Sequence, residues 1–84
     1  MSEFQFVEDL IKNGLPDAQV FVEDMTGTRD HLAITVVSEA FRGKLLIEQH
    51  QILMDLLKEE LKHRIHAVKL QTYTKEKFDQ ATKR

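Results

Sequence analysis

Val36-Val37-Ser38-Glu39-Ala40-Phe41-Arg42-Gly43-Lys44 reads as a strand running out into a turn. The valines continue His31-Leu32-Ala33-Ile34-Thr35, in which Leu32, Ile34 and Val36 recur at every second residue. That is the period of a strand with one buried face. Ser38 can end the strand through a side-chain to backbone hydrogen bond. Beyond Lys44 the period changes. Leu46, His50, Leu53, Leu57 and Leu61 return every three or four residues, which predicts a helical region from about Leu45 to Lys62.

Upstream, Ser2 can cap a first helix from about Glu3 to Asn13, with Phe6, Leu10 and Ile11 as its apolar stripe. Asn13-Gly14 and Pro16 stop it, Gly14 being suited to a left-handed C-cap. Ala18 to Glu23 reads as a first strand, with Val20 and Val22 on one face. Met25 to Asp30 is a polar loop whose Gly27 suits a hairpin, so the second strand should run antiparallel to the first. Downstream, Ile65 to Thr72 reads as a third strand, whose imperfect alternation leaves its register open. Thr74 offers an N-cap for a last helix, with Phe78 packing back. The expectation is an α+β fold, a three-stranded sheet with helices on one face.

At 84 residues the chain has room for a single domain, residues 1–84, with one modest core. It is 42% hydrophobic and 31% charged, as soluble globular chains are, and no apolar run approaches the roughly 20 residues of a membrane span. The start, Met1-Ser2-Glu3, lacks the basic character of a signal peptide. Cys is absent, which rules out a disulfide framework or a thiolate site made by this chain alone. A cytoplasmic location is expected. The net charge of −2 is unevenly spread. Residues 1–41 hold eight acids against two cations, and residues 42–84 hold ten cations against six acids. Such blocks fit two binding faces or a solvated surface whose signs mix in three dimensions.

The segments Val36-Val37-Ser38, Phe41-Arg42-Gly43-Lys44, the long helix, and Ile65-His66-Ala67 followed by a Thr-led final helix resemble, in order and spacing, the BolA family. The resemblance runs from about Phe4 to Phe78. It implies the order α-β-β-α-α-β-α in a KH-like fold, strand three beside strand two, with the long helical region split near Lys58. It also implies a function. BolA proteins pair with monothiol glutaredoxins of the Cys-Gly-Phe-Ser type and share a 2Fe–2S cluster, in iron–sulfur cluster handling or iron homeostasis. Glutathione supplies a further thiol, and no cofactor is expected on the chain alone. The alternative role attached to the family is a DNA-binding transcriptional regulator.

Four histidines are candidates for chemistry. His66 aligns with the family's Ile-His-Ala histidine, an iron ligand in the mixed complex; from its surroundings alone it reads as a strand-edge imidazole. His31 is the second candidate ligand, or an ordinary strand-end residue. His50 takes the central place of the family's Arg-His-Arg triplet, which here reads Gln49-His50-Gln51. It shares a stripe with leucines and is expected to be structural. His63 suits a helix C-terminus.

Loss of both flanking arginines argues against tight DNA binding, because phosphate neutralisation dominates nucleic-acid affinity. Weak or no nucleic-acid binding is therefore expected, with Lys69, Lys75 and Lys77 as the residues that would carry it. Phe41-Arg42-Gly43-Lys44 has one Gly and is not the clamp of RNA-binding KH domains. No enzyme is expected: there is no phosphate-binding Gly-rich loop, no His-Glu-x-x-His and no Cys nucleophile. Membrane association is not expected, and a homodimer is left open.

Overall fold

A computed structural model describes residues 4–25, 27, 31–63 and 67–82. The proposed Ser2 cap, most of the hairpin loop, and the Ile65 and His66 start of strand three lie outside these residues. The elements are α1 (Gln5–Gly14), β1 (Gln19–Asp24), β2 (His31–Val37), a 3-10 turn (Glu39–Phe41), α2 (Leu46–His63), β3 (Ala67–Tyr73) and α3 (Lys75–Thr82). The sheet order is β1-β2-β3. β1 is antiparallel to β2, and β3 is parallel to β2.

The expected order holds, with a difference in its middle. The two consecutive helical pieces are the 3-10 turn and one long helix, and α2 runs uninterrupted through Lys58. The residues around Lys58 explain this: Met54 to Lys62 contains no Gly, Pro or β-branched residue to interrupt a helix. At the other end of α2, Glu48 reaches back to accept a hydrogen bond from the Leu45 backbone N–H at 2.8 Å, half of a capping box.

The register of β3, open to sequence reading, is set by pairing with β2: His31 opposes Ala67, Ile34 opposes Leu70 and Val37 opposes Tyr73. Leu32, Ile34 and Val36 are buried, and Val20, Val22, Val68 and Leu70 pack against the same cluster. The core is completed by Val7 and Ile11 of α1, Phe41 of the turn, and Leu53 and Leu57 of α2. The stripe expected for α1 is therefore rotated slightly. Val7 and Ile11 are fully buried, while Phe6 and Leu10 lie partly buried at its margin. Leu46, placed on the α2 stripe by its spacing, is 61% exposed.

The expectation of helices on one face holds for α1 and α2 but is corrected for α3. Phe21 lies between Val20 and Val22 on β1, so alternation points it to the face opposite the core. Phe78 of α3 stacks on Phe21, with ring centroids 5.5 Å apart, and also meets Tyr73 at 5.7 Å. Val37, on the same alternate face, is 1% exposed. A single apolar residue per turn in α3 gave no signal of which face it would cover.

Two glycines carry turns. Gly27 (φ 80°) donates its N–H to the Asp24 carboxylate at 2.8 Å, and Gly43 (φ 78°) closes the turn before α2. Both sit in the left-handed region that glycine enters without a Cβ penalty. Gly14 does not. It is the last helical residue, and a Cβ there would lie 2.5 Å from Leu56 Cδ2. It permits close packing of α1 on α2 rather than a left-handed cap.

Candidate functional site

The sheet has two ends of different chemistry. At one, His31 opens β2 and lies in register with Ala67, the first residue of β3 and the residue that follows His66 in sequence. The hairpin is tied there by the Met25 N–H donating to the His31 carbonyl at 2.9 Å. His66 itself is outside the described residues. His31 is half-buried. Among the described residues no group of three or more His, Cys, Asp or Glu side chains could hold a metal ion. The donor set has a clear limit: this chain offers imidazole nitrogens and no thiolate. A 2Fe–2S centre with nitrogen on one iron and sulfur on the other fits such a chain only when a second molecule brings the sulfur.

The other end of the sheet, about 20 Å away at roughly 3.3 Å per residue along β2, is held by a carboxylate network. Ser38 is fully buried, and its hydroxyl donates to Asp17 Oδ1 at 2.7 Å. Ser38 Oγ also caps the 3-10 turn by accepting from Ala40 N–H at 3.1 Å, the strand-ending role expected for Ser38. Asp17 also accepts from Glu39 N–H at 2.9 Å. Glu39 in turn accepts from Arg42 at 2.7 Å and from the backbone N–H of Lys75 at 2.9 Å, pinning the start of α3.

The hydroxyl of Ser38, followed by Glu39 N–H, holds the Asp17 carboxyl below its ordinary 3.8. Arg42, followed by Lys75 N–H, holds Glu39 below its ordinary 4.5. Both folded values are depressed. The stabilisation is therefore present above the unfolded values and is lost as pH falls through the folded ones. Asp17→Asn should flatten the fall of Tm between about pH 5 and pH 3, measured by thermal melts followed by circular dichroism.

Among the other candidates, Lys69 is exposed on the sheet face opposite the core, opposite Ala33. Lys75 and Lys77 open α3 at the Val37 and Tyr73 end. A surface cavity of about 540 Å³ there is lined by Arg42, Lys44 and Lys77. The three lysines thus do not form one patch, and those on α3 lie at the far end of the sheet from His31. His50 faces Leu46 and Leu70, and its Nε2 is buried with no hydrogen-bond partner.

Gln49 is the residue whose role the sequence did not disclose. Read as a lost arginine, it is a three-way tie. Its amide donates to the carbonyls of Lys44 at 2.9 Å and Phe41 at 3.3 Å, and its oxygen accepts from the Thr72 hydroxyl. It joins the turn to β3. Gln49→Ala should cost about 1–3 kcal/mol, since a part-buried hydroxyl and two carbonyls lose a partner. In a domain of this size that lowers Tm by roughly 5–15 °C. Calorimetry beside the exposed control Gln51→Ala checks it.

The sequence profile described as BolA-like protein matches residues 7–77, most of the chain. The chain belongs to the BolA family. It is 35% identical over 75 residues to mouse BolA-like protein 2, covering 87% of this chain and 86% of the mouse protein. It is 37% identical over 54 residues to the DNA-binding transcriptional regulator BolA of Vibrio cholerae, covering 64% of this chain and 51% of that protein, so the match spans about half the regulator's length. The fold is similar to the solution structure of yeast Fra2, with 30% identity, a TM-score of 0.71, and coverage of 93% of this chain and 84% of that one. Among the described residues no helix is long and apolar enough to cross a membrane.

Proposed function

We propose that this BolA-family chain is a binding module that pairs with a monothiol glutaredoxin of the Cys-Gly-Phe-Ser type and shares a 2Fe–2S cluster with it. His66 is the nitrogen ligand, with His31 as the second candidate. The observation that supports the reading is the register of β2 and β3. It sets His31 opposite Ala67, the residue that follows His66 in sequence. Because this chain has no Cys, the reading takes imidazole from it and thiolates from the glutaredoxin and glutathione. The cluster, when bound, supplies one-electron redox chemistry and a transferable iron–sulfur unit. The chain's own contribution is to present imidazole nitrogen to the iron. The reading assigns it no catalytic step and takes the cytoplasm as its compartment.

The DNA-binding reading draws on the Vibrio relative's name and on Arg42, Lys44 and Lys77 around one cavity. Arg42 is already committed to Glu39 at 2.7 Å and lies 3.7 Å from Glu76. That reduces the charge available to phosphates. Co-expression with a glutaredoxin of this type tests the choice. A coloured heterodimer containing iron and sulfide in equal amounts is expected, with no sequence-selective duplex binding tighter than about micromolar at physiological salt. A colourless chain that elutes apart and binds a DNA site at nanomolar concentration would favour the regulator.

A further inference from the structure

A groove of about 420 Å³ runs between α1 and the second half of α2, lined by residues of these two helices. Its floor is apolar, formed by Phe6 and Leu10 of α1 and Leu56 of α2, which are partly buried against the core. Its walls are acidic. Asp9 stands on α1, and Asp55, Glu59 and Glu60 stand on α2, with Lys58 the cation lining it. Glu59 lies 3.7 Å from Lys62, an exposed pair of little energetic weight.

We propose that this groove receives a cationic amphipathic helix from a partner protein. Three features of the groove define the occupant. Phe6 and Leu10 are four residues apart on α1, so the apolar strip runs along the helix axis, and a trench between two helices is the geometry that accepts the apolar face of a third. The 10 residues of α1 span about 15 Å, the length of roughly three turns. The sign of the walls then selects Lys or Arg on the flanks of that helix.

The same charge excludes the other occupants. Nucleic acid and an anionic membrane surface would be repelled. A lone metal ion is not served, because among the described residues these carboxylates form no metal-holding group. Glu60 adds a second argument. It sits in the last turn of α2, where the helix dipole disfavours an anion. A local choice that opposes helix stability is expected where a surface is shaped for a partner.

The test uses the full chain and a labelled Leu/Lys amphipathic peptide of about 12 residues, some 18 Å of helix. A Leu/Glu peptide with the same stripe is the charge control, and a Leu/Lys peptide with the stripe scrambled is the shape control. Anisotropy should show the first binding at least about tenfold tighter than either control, with affinity falling as salt rises. Amide shift changes should centre on Phe6, Leu10 and Leu56. The exposed double substitution Asp55→Lys with Glu59→Lys, folded by circular dichroism, should weaken binding at least about tenfold.

Equal binding of the Leu/Glu peptide, shift changes centred on the exposed Leu45, Leu46 and Ile47, or an unaffected double variant would each overturn the proposal. So would a dimer of the unliganded chain that the double variant dissociates, since the occupant would then be a second copy. None of these readouts involves a cluster, so the outcome is separate from that of the glutaredoxin reading.

Discussion

His66→Ala should abolish the mixed-cluster spectrum while leaving a folded chain. If His66 donates nitrogen to iron in the complex with glutaredoxin, its removal leaves that iron one protein ligand short. The visible spectrum should then revert to that of the glutaredoxin homodimer, whose protein ligands are thiolates, or bleach. Loss of one ligand to a metal is among the largest effects a single substitution can have, because metal binding free energy is itself large. His31→Ala should act in the same direction and less strongly.

His50→Ala is the control. Its ring lies among Leu46, Leu70 and Tyr73 with Nε2 buried and unpartnered, so the substitution should lower Tm and leave the spectrum unchanged. His50→Leu should recover much of that loss, because an apolar side chain of similar size leaves no unpaired nitrogen. A spectrum kept by His66→Ala and lost by His50→Ala would move the ligand to α2.

The second large effect is on the fold. Phe41→Ala should cost about 3–5 kcal/mol, the range for emptying a buried aromatic site. Phe41 is 1% exposed and belongs to the core cluster with Leu53 and Leu57. Total stability for a chain of this length is on the order of 4–13 kcal/mol. The substitution therefore removes a large fraction of it, and the chain should be partly unfolded near 37 °C. Leu46→Ala, two residues past the Gly43-Lys44 turn and 61% exposed, should change stability by less than about 0.5 kcal/mol. Urea titrations of the two variants check the contrast. Equal losses would mean that the N-terminal turn of α2 is packed more closely than its exposure shows.

What was legible in the sequence follows from where one period dominates. Leu32, Ile34 and Val36 alternate cleanly, and β2 is the central strand with the core on that side. Leu53 and Leu57 are spaced for one helix face, and both are fully buried. The same spacing misassigned Leu46, because periodicity says which residues share a face but not where along the helix the core ends. Val7 was missed because Phe6 and Leu10 are equally apolar and compete for the stripe of a helix of 10 residues. Gly14 was read for its backbone freedom, whereas it provides room for Leu56. The register of β3 depends on a parallel pairing across the whole of α2, and no local pattern encodes it.

The candidate site comes from a different kind of reading. No spacing in this chain singles out His66; the proposal of it as a ligand rests on its likeness to the Ile-His-Ala segment of the family. The structure adds the pairing of His31 with Ala67, which no local rule gives. Gln49 shows the limit of reading by family pattern. Comparison with the Arg-His-Arg triplet records what was lost, while the hydrogen bonds to Phe41, Lys44 and Thr72 show what took its place.

The measurement that bears most directly on the central claim is a visible circular dichroism titration of a cluster-loaded monothiol glutaredoxin homodimer with this chain. A new spectrum is expected that grows at the expense of the homodimer's and saturates at one chain per glutaredoxin, with iron and sulfide retained in a heterodimer. A spectrum that stays that of the homodimer through a large excess, with the chain eluting separately, would contradict it.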